Sequence, residues 1–184
     1  HKTFLEIGAN HPKNNSNSYF LEHSLGFQGI SVDPIDRTES YATVRPNTTF
    51  INAFVSDTSV GQESFIKVQA DNGWEDQMSA SKTQFKDDGH DYKYDEIMVD
   101  RISLTNLQAQ LPDGIGVLLI DVEGFELKIL QSLSDDNKPH IIIAENAANI
   151  KQQKILHSAM QKKGYDLVGR IWTSDDIYIE QSRV

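Results

Sequence analysis

Short apolar runs alternate with amphipathic stretches along the whole chain, a pattern that predicts βαβ units around a mostly parallel sheet. Residues 4–7 read as a first strand ending at Gly8-Ala9-Asn10. Asn17 or Ser18 can cap a helix through Leu25, and Gly26 stands where a left-handed C-cap is expected. A second strand at 29–32 closes at Asp33-Pro34, a short helix follows near 35–43, and 49–55 reads as a third strand. Residues 63–68 suit a more exposed strand. Residues 70–95 break the pattern: they are polar, with Trp74, Met78, Phe85, His90 and Tyr92 interspersed, as in a lid or acceptor-recognition insertion. Periodicity resumes with a helix expected over 99–107. The most apolar run, 116–120, suits a central strand buried on both faces. Helical spacing at 125–133, a strand at 140–144, a helix at 151–163 stopped by Gly164, and an antiparallel pair at 165–171 and 177–180 complete the pattern.

At 184 residues with 38% hydrophobic and 24% charged positions, the chain has material for one core and one domain. It opens inside an apparent central strand, which suggests a domain excised from a longer, glycan-modifying chain. The formal net charge of −10 disfavours nucleic acid as a partner and predicts no polybasic surface for anionic lipid. No apolar stretch reaches the ~18 residues that a membrane span needs, so no membrane insertion is expected. The absence of Cys removes disulfides, thiolate metal sites and a cysteine nucleophile, and points to a reducing, cytoplasmic setting.

Three features carry chemistry. A strand running into Gly8 lets backbone approach a ligand closely, although a turn alone can require such a glycine. Asp33 lies 25 positions beyond Gly8 at the end of the next strand, placed to accept hydrogen bonds from a ribose diol. It can equally cap the helix that Pro34 opens. Position 10 is Asn and position 13 is Lys, so the glycines that close on a dinucleotide pyrophosphate are missing, and no P-loop is present. A nucleoside-bearing ligand without phosphates remains, and S-adenosylmethionine fits, with its ribose and its cationic sulfonium and amino groups. The third feature is acidic: Asp121 ends one strand and Glu145-Asn146 end the next. These three oxygen donors suit Mg²⁺ or Mn²⁺ rather than zinc, an arrangement that resembles the metal site of catechol-type O-methyltransferases. Without a metal, Asp121 would position the cofactor amino group and Glu145 would cap a helix.

The stretches Glu6-Ile7-Gly8-Ala9-Asn10-His11-Pro12, Ser16-Asn17-Ser18-Tyr19-Phe20-Leu21, Gly29-Ile30-Ser31-Val32-Asp33-Pro34 and Asn52-Ala53-Phe54-Val55-Ser56-Asp57 resemble the FkbM-type S-adenosylmethionine-dependent methyltransferases. The resemblance is most specific at Val99-Asp100-Arg101-Ile102-Ser103-Leu104 and at Leu119-Ile120-Asp121-Val122-Glu123-Gly124-Phe125-Glu126-Leu127. It departs at Asp33, where the family mostly has Glu, and at Leu119, where a lysine is common. It implies a Rossmann-like class I methyltransferase fold, an α/β architecture with a mostly parallel seven-stranded sheet and helices on both faces. It also implies that Glu6, Gly8 and Asn10 contact the methionine part of the cofactor and Asp33-Pro34 the ribose end. Asn52, Ala53 and Asp57 would border the adenine, and Asn17 and Ser18 would meet the carboxylate.

The activity expected is O-methylation of a sugar or glycan hydroxyl. Asp121 anchors the reacting end, Glu123 borders it, and the loop histidines His90 and His11 are candidate bases. Trp74, Tyr92 and Trp172 are candidates for stacking on a sugar ring. A polyketide or other small-molecule hydroxyl, or a carboxylate, is the alternative acceptor, and a non-catalytic domain that keeps the fold is the alternative class.

Overall fold

The computed structural model describes residues 1–69, 78–85, 93–146 and 150–183. Eleven strands and five α-helices follow one another along these residues. They are β1 (Thr3–Ile7), α1 (Tyr19–Leu25), β2 (Gln28–Asp33), α2 (Thr38–Val44), β3 (Thr48–Asn52), β4 (Phe54–Ser56), β5 (Gln62–Val68), β6 (Ala80–Ser81), β7 (Tyr94–Ser103), α3 (Leu104–Gln108), β8 (Val117–Ile120), α4 (Glu126–Gln131), β9 (Ile141–Glu145), α5 (Ile150–Lys162), β10 (Tyr165–Ile171) and β11 (Asp175–Glu180).

Seven strands form a mixed sheet in the order β10-β11-β9-β8-β1-β2-β3. The pairs from β9 to β3 are parallel, and β11 runs antiparallel to both β9 and β10. Burial explains the order: all four residues of β8 are buried, and β1 beside it is buried from Phe4 onward. One face carries Leu5, Ile7, Val32, Leu118, Ile120 and Ile142, packed with Leu107 of α3, Ile129 and Leu130 of α4, and Leu156 and Met160 of α5. The other face carries Phe4, Val117 and Leu119 under Leu21 and Phe27. The order in which strands are added reverses at the β1/β8 boundary, since β2 and β3 extend one way and β8 and β9 the other. Such a switch point opens a crevice beyond the strand carboxyl ends.

A second sheet, β4-β7-β5-β6, was not expected from the sequence. The apolar run at 49–55 is not one strand. It breaks at Ala53, whose N–H donates to the Asp33 carbonyl, and the side-chain amide of Asn52 donates to the carbonyls of Asp33 and Pro34. The chain therefore leaves the large sheet, and Phe54–Ser56 pairs instead with 101–103. The helix expected over 99–107 is likewise corrected: β7 continues to Ser103, and only Leu104–Gln108 is helical. Alternating Ile97, Val99 and Arg101 favour a strand there, while the Ser103 hydroxyl accepts the Asn106 N–H and starts the helix.

Of residues 70–95, the described part is 78–85 and 93–95. Ala80–Ser81 pairs with Phe65 and Ile66, laying this segment along the crevice. Trp74, His90 and Tyr92 lie outside the described residues. Among the described residues no helix is long and apolar enough to cross a membrane.

Candidate active site

Gly8 leaves β1 with φ 79°, and an added Cβ would sit 1.7 Å from the Asp121 carbonyl oxygen. Only glycine permits this approach of β1 to the β8 terminus. The N–H groups of Gly8 and Ala9 both donate to the Val32 carbonyl. Asn10 follows with φ 41°, and its N–H donates to Asp33 Oδ2 at 2.8 Å. Asp33 Oδ1 accepts the Ile35 N–H at 2.8 Å. Asp33 thus ties the loops after β1 and β2 together, while each carboxylate oxygen can accept further hydrogen bonds.

The crevice is lined by Gly8, Asn10, Asp33, Pro34, Ala53, Asp121 and Glu123 among the residues expected from the sequence. Apolar walls come from Ile7, Val32, Ile35, Phe54, Val55, Phe65, Val122 and Phe125, and polar edges from Asn15, Ser79 and Ser81. Asn15, Phe65, Ser79 and Ser81 were not singled out from the sequence. The last three reach the crevice only through the second sheet, which local periodicity does not signal.

Glu6, Asn17, Ser18, Asn52 and Asp57 do not line the crevice. Strand alternation turns Glu6 to the opposite face from Ile7. There its carboxylate accepts the Ser18 N–H (3.0 Å), the Ser18 hydroxyl (2.6 Å) and the Ser31 hydroxyl (2.8 Å), with Arg45 Nη1 at 3.7 Å. Burial raises the Glu6 pKa, and the two hydroxyls and Arg45 oppose the rise. Ser18 stands at the α1 N-cap position, yet its hydroxyl serves Glu6 rather than the helix. Asn52 is engaged by the Asp33 and Pro34 carbonyls, and exposed Asp57 faces Lys128 at 3.5 Å. His11 is tied up in its loop, where Nδ1 accepts the N–H groups of Lys13 and Asn14.

The acidic rim is built at the ends of β8 and β9. Carboxylate oxygens of Asp121, Glu123 and Glu145 lie within 4.8 Å of one another. Asn146 does not join them, which corrects the expected donor set. Its side-chain amide donates to Asp176 Oδ2 at 2.6 Å on the other side, because neighbouring strand residues point to opposite faces. Glu123 takes its place. It sits at φ 53°, with Gly124 at φ 102°, in a turn fixed by Glu126, whose Oε1 accepts the N–H groups of Val122 (3.1 Å) and Gly124 (3.0 Å). Glu126 is therefore a clamp on the turn rather than only an acidic first-turn residue.

The rim carboxyls share their proximity and partial burial. Asp121 is pushed up to about 6, chiefly by burial and then by Glu126 and Asp175. Glu123 rises to about 7 through burial and the charges of Asp121 and Glu126. Glu145 rises to about 8 through burial, Asp121 and Glu123. Asp175, opposite Glu145 in the β9–β11 register, adds a further negative charge that sequence reading missed. Behind the rim, Asp176 is fully buried. Burial alone would raise its pKa, but hydrogen bonds from Arg170, Asn146 and His157 bring it below the usual range.

A mixed α/β sheet with a glycine-gated crevice and a carboxylate rim is an architecture consistent with a methyltransferase domain. Residues 6–167 match the family model of the methyltransferase FkbM domain, and the chain belongs to that family. No curated protein and no solved structure matches the chain.

Proposed function

We propose that the chain is an S-adenosylmethionine-dependent O-methyltransferase of the Rossmann-like class I type, acting on a hydroxyl of a sugar or glycan. The observation that carries this reading is the crevice itself: Asp33 joins two loops at the switch point, with no glycine-rich phosphate cradle and with carboxylates at the open end. Asp33 would accept the ribose hydroxyls, Gly8 and Asn10 would face the methionine part, and Ile35, Ala53 and Phe54 would flank the adenine. Carboxylates at the rim suit a cationic ligand. When bound, the cofactor supplies an electrophilic methyl group on a sulfonium.

The chain's own contribution is to hold the acceptor oxygen in line and remove its proton. Asp121, Glu123 and Glu145 have the proximity to do so, and raised pKa values bring a carboxylate closer to proton transfer at neutral pH. The same three oxygen donors suit a hard divalent cation, Mg²⁺ or Mn²⁺, which would lower the pKa of a bound hydroxyl. Ser79, Ala80 and Ser81, the part of the expected insertion that lines the crevice, would face the acceptor. A neutral polyol suits the acidic surface better than an anionic acceptor.

Calorimetric titration with S-adenosylhomocysteine tests the reading. Saturable binding that Asp33→Ala weakens is expected, and no binding by the folded chain would leave only the fold. Loss of methyl transfer on adding EDTA, restored by Mn²⁺, is the result expected of the cation; full activity in EDTA removes the cation and keeps the methyltransferase.

A further inference from the structure

We propose that Trp172 is the platform of an acceptor subsite that stacks on the sugar ring next to the one being methylated; this deepens, and rests on, the sugar reading above. Trp172 combines two unfavourable features at one position. Its side chain is 91% exposed, and its backbone lies in the left-handed region at φ 55°. A bulky residue is strained there, where Gly or Asn would fit freely, and the indole leaves the largest apolar side chain in water. Neither feature helps the fold, and an outlier of this kind points to use by a ligand.

The turn that carries Trp172 is fastened to the acidic rim. The Asn146 N–H donates to the Ser174 carbonyl at 2.6 Å, and Asp175 lies opposite Glu145 in the β9–β11 register. Arg170 Nε donates to Asp176 Oδ1 at 2.7 Å, which holds the base of the same hairpin. Ile171 pairs with Asp175, so the start of the turn lies two strand spacings, ~10 Å, from Glu145. That separation matches a neighbouring ring in a glycan chain rather than the reacting ring. A flat indole complements the C–H face of a pyranose with equatorial hydroxyls. The subsite therefore selects disaccharide or longer acceptors over monosaccharides.

Transfer of labelled methyl from S-adenosylmethionine to a panel of methyl hexopyranosides and their disaccharides, using the full chain, tests this. Trp172→Ala should raise KM for disaccharides about tenfold, a size expected of one aromatic stack. It should leave kcat, the monosaccharide KM and S-adenosylhomocysteine affinity unchanged, and Trp172→Phe and Trp172→Tyr should recover most of the loss. The chain has two Trp, and the indole fluorescence of the full chain should shift on adding a disaccharide acceptor, with most of that shift lost in Trp172→Ala. Equal disaccharide KM in Trp172→Ala, or unmoved fluorescence at saturation, overturns the subsite. A changed sedimentation coefficient with unchanged sugar KM does so too, assigning the indole to a protein contact. Sugars methylated normally by Trp172→Ala sink this inference alone, whereas a wild-type chain that binds S-adenosylhomocysteine but methylates no sugar sinks the acceptor reading and this inference with it.

Discussion

Two groups of carboxylates in the same sheet differ in what surrounds them. Glu6 is 1% exposed and meets donors on every side: Ser18, Ser31 and Arg45, with Arg45 also bonded to Glu22 at 2.5 Å and set over the rings of Phe4 and Tyr41. Asp121, Glu123 and Glu145 are more open and meet chiefly one another, with Glu126 and Asp175 adding charge of the same sign. A buried acid surrounded by donors holds a fold together. Acids that crowd one another beside a crevice destabilise the empty protein and gain from a proton or a cation. The same residue type thus does structural work in one place and, on the proposed function, chemical work in the other.

The comparison predicts the largest loss of stability at Glu6. Glu6→Ala strands Arg45 without its buried partner, and about 3–5 kcal/mol should be lost in urea titration, as when one member of a buried ion pair is removed. A loss below about 1 kcal/mol would show that the contacts of Arg45 with Glu22 and Ser16 suffice. Asp121→Asn should behave oppositely. Methyl transfer should fall by about a hundredfold or more, the scale of removing a proton-transfer group, with unchanged circular dichroism. Transfer near the wild-type rate would take Asp121 out of the mechanism.

Asp33→Ala is expected to lie between these. It removes a charged acceptor shared by two loops and, on the proposed function, by the cofactor, and S-adenosylhomocysteine should bind roughly tenfold or more weakly, from a charged hydrogen bond's ~1.5–3 kcal/mol.

The pH dependence sharpens the contrast further. The rim pKa values are raised in the folded chain above 3.8 for Asp and 4.5 for Glu, so the folded state binds more protons than the unfolded one. Stability from the rim is therefore full below about pH 4 and is lost as pH rises through about 6 to 8. The melting temperature should decline between pH 5 and 8, and Glu145→Gln should flatten that decline. A melting temperature that rises over the same range would contradict the mutual repulsion. The smallest effect is expected at Asp57→Ala, whose half-exposed contact with Lys128 should be worth less than about 1 kcal/mol by thermal shift.

Much of the large sheet could be read from the chain, because buried strands are continuous apolar runs and their ends carry turn residues. Gly8 and Asp33 were legible for the same reason, as a strand-ending glycine and a strand-ending acid. The antiparallel hairpin at Tyr165–Ile171 and Asp175–Glu180 was legible from its alternation, although the role of Asp175 beside Glu145 was not. Trp172 was visible only as one aromatic among several. Its exposure and backbone conformation emerge from the folded turn.

Residue order by itself determined most strands of the large sheet, that the glycine motifs of a phosphate cradle are missing, and that acids gather at strand ends. Tertiary structure decided which way those acids point. Glu6 lies next to Ile7 and Asn146 next to Glu145, both of which face the site, and a period of two turns each away from that neighbour once long-range pairing fixes the register. It also decided that the chain would abandon the large sheet at Ala53, because hydrogen bonds from Asn52 and Ala53 to the neighbouring loop compete with the strand ladder. A local apolar pattern records which residues avoid water. Which neighbours they meet instead is set by partners distant along the chain.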